Sequence, residues 1–407
     1  MCMRNSRGEF AFAQGFWPVR GLLAVRDPVG SALGRTPGFN LVELLMSMAL
    51  ATIIFMAITT LFVKQTEVMQ EQNELIVLNR EARFGLDHLR TDLTSLGSNS
   101  TPNSAVDPSV CIKPATQIRA LTVDTTGSYV AASSLNANIE PTALTLFGSL
   151  DIKTRYRSQA ISGSTVTLLD DGKLPVDQAA WDETFATDRF LRISGADGQQ
   201  MFFAIASGNQ GSKTVTVADP IPRVTTGSNC GYTGLGVNYN IDVQNFVRYR
   251  VVADIRPGAP VDVSGKALQG LLVRERMNSS GTSVKSQLVL VENAVDLQIY
   301  DIGFDIERSS EKVKFDVKRL AADVSVSGGG GLLGNLKSEA IPEALRFVTI
   351  KLSVRTTWPR KGLVHRPRDV SWEPLTTYLL PDELDGSHPV MSVASRVAFP
   401  TLVSRNL

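Results

Sequence analysis

A long run of apolar residues near the start of the chain is its clearest pattern. Residues 39–63 read FNLVELLMSMALATIIFMAITTLFV, with Glu43 as the only charge, and Lys64 follows. About 20 apolar residues, each rising about 1.5 Å along a helix, are enough to cross a bilayer. A cleavable secretory signal has a shorter apolar segment of roughly 7 to 15 residues. The pattern therefore predicts a retained transmembrane helix over residues 39–63.

After Lys64 the pattern stays helical and becomes amphipathic. Apolar residues recur at three- and four-residue steps with charged residues between them. They are Leu75, Leu78, Ala82, Leu86, Leu89, Leu93 and Leu96. Gly97 and the polar residues after it predict the end of the helix. We expect one helix over residues 39–96, about 90 Å long, whose apolar stripe packs on a sheet. An independent coiled coil is the alternative, but the stripe covers only about three heptads.

Beyond residue 101 the helical period disappears. Short alternating or β-branched runs follow, among them STVTLLD, RFLRIS, MFFAIAS and KTVTVAD, separated by clusters of Gly, Ser, Asn and Asp. These runs predict a mainly antiparallel β domain over residues 97–407. The predicted fold class is α+β, with one long N-terminal helix packed on a large antiparallel β domain.

Charge is unevenly distributed along the chain. The net charge is +1, which gives no overall attraction to nucleic acid or acidic lipid. Residues 1–38 contain five arginines against Glu9 and Asp27, a balance of +3, so the rest carries +1 − 3 = −2. A basic segment before an apolar helix is typical of the cytoplasmic side of a membrane. We therefore expect the β domain on the other side.

A glycine, a phenylalanine and a glutamate stand at fixed positions around the start of the apolar run. Gly38 precedes Phe39, and Glu43 is the fifth residue after the junction. A carboxylate within the hydrocarbon of a bilayer costs about 3 kcal/mol on insertion scales. Glu43 therefore needs a partner, and an amino terminus freed by cleavage before Phe39 of a neighbouring copy would supply one.

These residues resemble the type IV prepilin signature. The resemblance implies that a membrane prepilin peptidase cuts between Gly38 and Phe39, that the new Phe39 terminus is N-methylated, and that Glu43 assists subunit docking. Residues 1–38 are then a leader. Asn40 departs from the usual threonine or serine, and the leader is long. A plain signal anchor with an incidental glutamate is the alternative.

Three later segments narrow the resemblance. They are QLVLVENAVDLQIYDIGFDIE at residues 287–307, ALRFVTIKLSVRT at residues 344–356, and the ending SRVAFPTLVSRNL with Arg405 and Asn406. They resemble strands of PilW-type minor pilins, whereas residues 100–240 match least and are a candidate insertion.

The resemblance implies a non-enzymatic minor pilin that initiates pilus assembly near the filament tip. Its partners would be other minor pilins, the major pilin and the assembly platform of the bacterial inner membrane. The body would lie in the periplasm and later at the cell surface.

Two other functions fit parts of the sequence. A J-type pseudopilin of type II secretion has a similar leader and strand order, although its body is usually shorter. A tip-displayed adhesin or DNA-binding module would need aromatic or basic surface clusters. The one basic run comprises Arg360, Lys361, His365, Arg366 and Arg368. Few aromatic residues accompany it, so we do not expect nucleic-acid binding.

Cysteine, histidine and acidic residues give little sign of catalysis or metal binding. Loss of the leader would remove Cys2 and leave Cys111 and Cys230, which predicts a disulfide outside the cytoplasm. Two free thiols are the alternative. The histidines, His88, His365 and His388, lack metal-ligand spacing, and the acidic group Asp382, Glu383 and Asp385 lacks the alternation of a calcium loop. We therefore predict no cofactor, no metal and no catalytic residue.

Overall fold

The computed structural model describes most of the chain outside its N-terminal segment. The described residues are 40–96, 99–105, 107–124, 136, 139, 141–226, 228–262, 265–305, 317–320, 345–360, 362–367, 373–380 and 386–399. They fall into two compact units, Met1–Thr66 and Glu67–Leu407. Several predicted features, including the leader, Gly97 and the acidic group at residues 382–385, lie outside the described residues.

Helix α1 spans Leu41–Thr94. The carbonyl of Asn40 accepts the first backbone bonds, from Glu43 and Leu44, and the last turn tightens where the Ser95 amide donates to the Asp92 carbonyl. These limits lie within two residues of the predicted helix. The length follows from a sequence with no proline and with Gly85 as its only glycine.

The first half of α1 satisfies its own polar groups. Hydroxyl side chains there donate to backbone carbonyls three or four residues earlier, and they belong to Ser47, Thr52, Thr59, Thr60 and Thr66. Such bonds remove the need for water or for a partner side chain. By length and composition, α1 can cross a membrane, and its most apolar window has a mean hydropathy of 2.3.

The second unit contains helix α2 and two antiparallel sheets. Helix α2 spans Gln178–Thr184. The first sheet contains β1 Leu121–Asp124, β2 Ala143–Gly148, β3 Arg155–Ser162, β4 Thr165–Leu168, β5 Phe190–Ser194, β6 Gln200–Asn209, β7 Thr214–Val217, β8 Asn240–Ala253, β9 Gly270–Met277 and β10 Val284–Glu292. The second contains β11 Ala294–Asp305, β12 Val317–Leu320, β13 Leu345–Arg355, β14 Thr377–Tyr378 and β15 His388–Ala398. The predicted class, a long apolar helix with a large antiparallel β domain, is confirmed.

Six strands of the first sheet close on themselves. The start of β8 pairs with β3 on one side and with β5 on the other, while β3, β4, β7, β6 and β5 pair in that order. The result is a small antiparallel barrel, and its strands β3 to β7 lie within residues 100–240, the segment that the sequence marks as a candidate insertion. β8 then pairs with β2 over residues 245–249 and with β9 over residues 247–253. One strand therefore belongs to the barrel and to the rest of the first sheet.

Helix α2 fills the barrel with aromatic side chains. Trp181 and Phe185 are buried there, and the Phe185 ring lies 5.4 Å from that of Tyr156. Asp177 caps the helix by accepting a hydrogen bond from the Ala180 amide at 2.7 Å. A Cβ on Gly208 of β6 would lie 2.6 Å from the Trp181 indole nitrogen, so glycine permits this close packing.

The apolar stripe of α1 packs on strands of both sheets. Leu78, Ala82, Leu86, Leu89, Leu93 and Leu96 are buried in one core cluster with residues of β2, β8, β9, β10, β11 and β13. Burial of each leucine contributes about 1.5–3 kcal/mol as an upper estimate. Leu75 was predicted in this stripe, which is wrong, because it remains 39% exposed. Contact with the core begins one turn later, at Leu78.

The three segments that resemble PilW-type strands lie side by side. Residues 294–305 form β11, residues 345–355 form β13, and residues 388–398 form β15. β13 pairs with β11 on one edge and with β15 on the other. The described parts of the resemblance therefore fall in the second sheet, except residues 287–292, which belong to β10 of the first sheet, and none of them lies in the barrel.

Candidate functional site

Glu43 lies in the first turn of α1. Its backbone amide donates to the Asn40 carbonyl at 2.8 Å, and its side chain is exposed. A carboxylate in the first turn interacts favourably with the positive end of the helix dipole. No described side chain forms an ion pair with it, while Gly38 and Phe39 lie outside the described residues.

Most of the helix surface around Glu43 is apolar. The large apolar side chains from Leu41 to Val63 are 47–73% exposed, and none of the most apolar window is buried. Exposed apolar area costs about 25 cal/mol per Å² in water. A surface of this extent is covered by lipid or by other protein. The helix is therefore compatible with a single-pass membrane protein.

A buried polar network fixes the end of α1 to the β domain. The Tyr249 hydroxyl donates to the Asp92 carboxylate at 2.5 Å, and the Arg274 Nε donates to the same carboxylate at 2.9 Å. His88 Nδ1 lies 3.1 Å from the Tyr249 oxygen. Because the hydroxyl proton is given to Asp92, the imidazole must be the donor to Tyr249.

Burial and charge act together on these groups. Burial, and then the Asp92 carboxylate, raise the pKa of Tyr249 far above its ordinary value. Burial alone would lower the pKa of Arg274, but the carboxylates of Asp92 and Asp151 outweigh it and raise that pKa. Tyr249 is therefore a neutral donor and Arg274 a permanent cation. The network therefore has the features of a structural contact that holds the end of α1 to the β domain, rather than of a proton-transfer site.

The network continues from Arg274 towards the barrel. Arg274 Nη2 lies 2.6 Å from Asp151, which also accepts a hydrogen bond from Asn245 at 3.0 Å. Arg189, a buried guanidinium, lies 3.8 Å from Asp151 and 2.9 Å from Glu183 of α2. Burial is the main reason that the pKa of Arg189 is lowered, and Asp151 partly opposes it. A chain of alternating charges thus connects α1 to α2.

Cys111 and Cys230 form a disulfide, with their Cα atoms 5.4 Å apart. It joins the segment before β1 to the segment between β7 and β8, and Cys111 packs against the barrel core. Gln200 of β6 adds to this attachment by donating to Ser109 at 2.6 Å and to Asp107 at 3.1 Å. The predicted pairing of the two cysteines is present.

The residues considered for metal, cofactor or nucleic-acid binding do not converge in the described part of the chain. No group of three or more His, Cys, Asp or Glu side chains there could hold a metal ion. His388 lies beside Arg355 and the Thr356 carbonyl, whereas His365 lies near Thr377. Arg360 of the basic run pairs with Glu71 of α1 at 2.5 Å. Asp382, Glu383, Asp385, Lys361 and Arg368 lie outside the described residues.

Comparison with protein-family models, with curated proteins and with solved structures finds no match to this chain. The class that the structure itself defines is an α+β protein with one long, apolar N-terminal helix and a large antiparallel β domain held by a disulfide.

Proposed function

We propose that the chain is a minor pilin of the type IV pilus, which helps to initiate filament assembly and stays near the tip. A prepilin peptidase would remove residues 1–38, and the freed terminus of Phe39 would be methylated. Glu43 would then pair with a neighbouring subunit's terminus during docking. The proposed role is non-enzymatic, and the partners of the chain are other pilins and the inner-membrane assembly platform.

The observation that carries this proposal is the order of features from Gly38 to Lys64. A Gly–Phe junction is followed at its fifth position by the one charge in an apolar helix, and that helix is exposed on every side. A cleavable signal would lose its apolar segment, and a plain anchor has no need of a carboxylate. Cleavage before the helix accounts for both the retained apolar helix and its carboxylate, because it keeps the helix and frees an amino terminus that can pair with Glu43.

The size of the body favours a minor subunit over a repeated shaft subunit. A barrel built from β3 to β7 and part of β8 is added to the sheet on which α1 packs. In a shaft, every copy must pack against many identical neighbours, and a bulky body hinders such packing. At a tip, one copy needs only a few neighbours.

The decisive experiment is intact mass measurement of the full chain from membranes of cells with and without prepilin peptidase. We expect peptidase-dependent loss of residues 1–38, one added methyl group, and two missing hydrogens from the disulfide. Gly38→Val should leave the chain uncut, whereas the matched variant Gly15→Val, at a Gly–Phe pair with no apolar run after it, should be cut normally. A chain that stays uncut in both strains overturns the proposal.

Measurements of pilus formation and of secretion distinguish a minor pilin from a pseudopilin of type II secretion. Deletion of the gene should reduce surface pili and leave secretion unchanged, and the wild-type chain should restore the pili. Glu43→Gln should be cleaved normally but fail to restore them, because the amide keeps the shape and removes the charge. Lost secretion with normal pili would instead favour the J-type pseudopilin.

A further inference from the structure

A cleft lies between the second half of α1 and the strap that follows β13, defined here as residues 356–360. Its volume is about 480 Å³, and the helix side contributes Glu67, Glu71, Glu74 and the apolar Leu75. The strap contributes Trp358 and Arg360, and Pro389 of β15 closes one side. All of these residues belong to the second unit.

The strap is fixed by hydrogen bonds at both of its ends. The Thr356 amide donates to the Pro389 carbonyl at 2.9 Å, and the Arg360 amide donates to the Ser387 carbonyl at 3.0 Å. The Thr356 hydroxyl also donates to the Trp358 carbonyl at 2.8 Å. The strap therefore presents Trp358 from a rigid backbone, although its side chain is 70% exposed. A large aromatic residue held in water in this way is typical of binding surfaces.

Three carboxylates face the strap from one side of the helix. Glu67, Glu71 and Glu74 are spaced four and three residues apart, so their side chains lie on one face. Arg360 neutralises Glu71 at 2.5 Å, whereas Glu67 and Glu74 have no ion-pair partner in the described part of the chain. Among the described residues, the cleft thus carries three carboxylates and one guanidinium, a net charge of −2. Like charges at this spacing destabilise a helix, and a bound cation relieves that cost.

We propose that this cleft binds a lysine or arginine side chain of a protein partner. The cation lies between the Trp358 ring and the carboxylates of Glu67 and Glu74, combining a cation–π contact with charge pairing. Arg360 illustrates the fit, since its guanidinium already lies between the strap and this helix face. A zwitterionic lipid headgroup fits less well, because its phosphate follows its ammonium within a few bonds and the carboxylates repel it. This proposal does not depend on the pilin assignment.

The test uses the full chain, labelled with fluorotryptophan, in lipid nanodiscs and followed by fluorine NMR. Trp358→Phe identifies the signal of Trp358 among those of the four tryptophans. The probe is acetyl-Gly-Lys-Gly-amide, and the matched neutral probe carries norleucine in place of lysine. We expect a saturable shift of the Trp358 signal with the lysine probe alone. Its dissociation constant should be on the order of 1 mM at low salt and should increase at about 0.5 M salt.

Variants on the helix distinguish the cleft from a general charge effect. Glu74→Gln should weaken binding of the lysine probe about threefold, as expected for a partly exposed charge pair. Asp87→Asn removes one exposed charge from the same helix outside the cleft and should leave the affinity unchanged. Both substitutions preserve side-chain size, and an unchanged circular dichroism spectrum shows that the fold is retained.

Three outcomes overturn the proposal. The first is the absence of a saturable shift, and the second is an equal response to the norleucine probe. The third is a Trp358 signal that responds to phosphatidylethanolamine in phosphatidylglycerol discs but not to the lysine probe, which would assign the cleft to lipid. None of these results bears on cleavage after Gly38, so failure of this proposal and failure of the pilin assignment can be told apart.

Discussion

Tyr249 of β8 donates its hydroxyl proton to Asp92, in the last turn of α1, at a distance of 2.5 Å in the buried core. The two residues are 157 positions apart in the sequence. Together with Arg274, they make the helix end part of the β domain. Loss of either residue should therefore weaken the attachment of the helix, but to different extents.

We expect Asp92→Ala to destabilise the second unit by about 3 kcal/mol, because it leaves the largely buried guanidinium of Arg274 with fewer partners. Tyr249→Phe keeps the Asp92–Arg274 ion pair and should cost only about 1–2 kcal/mol. Denaturant unfolding of the full chain in detergent, followed by circular dichroism, measures both. Equal losses of unfolding free energy in the two variants would contradict the view that the Asp92–Arg274 ion pair contributes most to the attachment of the helix.

Stability should fall at alkaline pH because of Tyr249. Its pKa is raised in the folded state by burial and by Asp92, so the folded protein binds this proton more tightly than the unfolded chain does. The stabilisation is complete below the ordinary tyrosine pKa of about 10 and is lost as pH rises above it, by up to about 1.4 kcal/mol per pH unit.

Unfolding free energies measured from about pH 9 to about pH 11 test this expectation. Tyr249→Phe should flatten the decline, and the remaining slope would include Tyr156, whose pKa is also raised, chiefly by burial. An identical slope in wild type and Tyr249→Phe would mean that other groups control alkaline unfolding.

Gly85 sets the closest approach of α1 to the sheets. A Cβ at this position would lie 2.4 Å from Cγ2 of Val291 and 3.1 Å from Cδ2 of Leu272. Alanine improves helix propensity by about 1 kcal/mol, but overpacking costs about 1–3 kcal/mol, and we expect the overpacking to dominate. Gly85→Ala should therefore lower the thermal midpoint. In a protein that already carries Val291→Ala, Gly85→Ala should lower the thermal midpoint by less than it does in the wild type. If the effects of the two substitutions simply add, the steric explanation is contradicted.

The disulfide should stabilise the barrel and its attached segment. Cys111 and Cys230 close a loop with a sequence separation of 119 residues, and removal of such a bond costs about 2–4 kcal/mol. Cys111→Ser should lower the unfolding midpoint and admit protease cleavage near residues 223–232. Cys230→Ser should behave alike, and the double variant should be no worse than either. Cys2→Ser is the control and should change neither property.

Features with a local period were predictable from the sequence, whereas those made by distant pairing were not. The helix followed from its apolar steps, and β4, β5, β6 and β7 followed from alternating or β-branched runs bounded by turn residues. The period alone could not show where the helix meets the sheets, so Leu75 was assigned to the core. Barrel closure also left no local signal, because β8 pairs with β3 and β5 on opposite edges.

The candidate site was predictable to a similar extent. The junction at Gly38 and the lone Glu43 are neighbours in the sequence, and the cysteine pair followed from their number. The Asp92–Tyr249–Arg274 network and the cleft were missed, because their members come together only after folding. Glu71 and Arg360, for example, are 289 residues apart. Trp358 lies two residues before Arg360 in the sequence, but nothing nearby in the sequence indicated the glutamates opposite it.

The sharing of β8 between the barrel and the sheet has a consequence for local opening. Residues 240–242 are paired with β3 and β5, and residues 247–249 with β2 and β9, so each of these two stretches is flanked on both sides. Their backbone amides should exchange with deuterium among the slowest in the protein. The strand cannot be released in one region without exposing the end of the other, so the two regions should lose protection in a single step. Under mechanical force, the barrel and the rest of the first sheet would then unfold together, and the barrel would not unfold first.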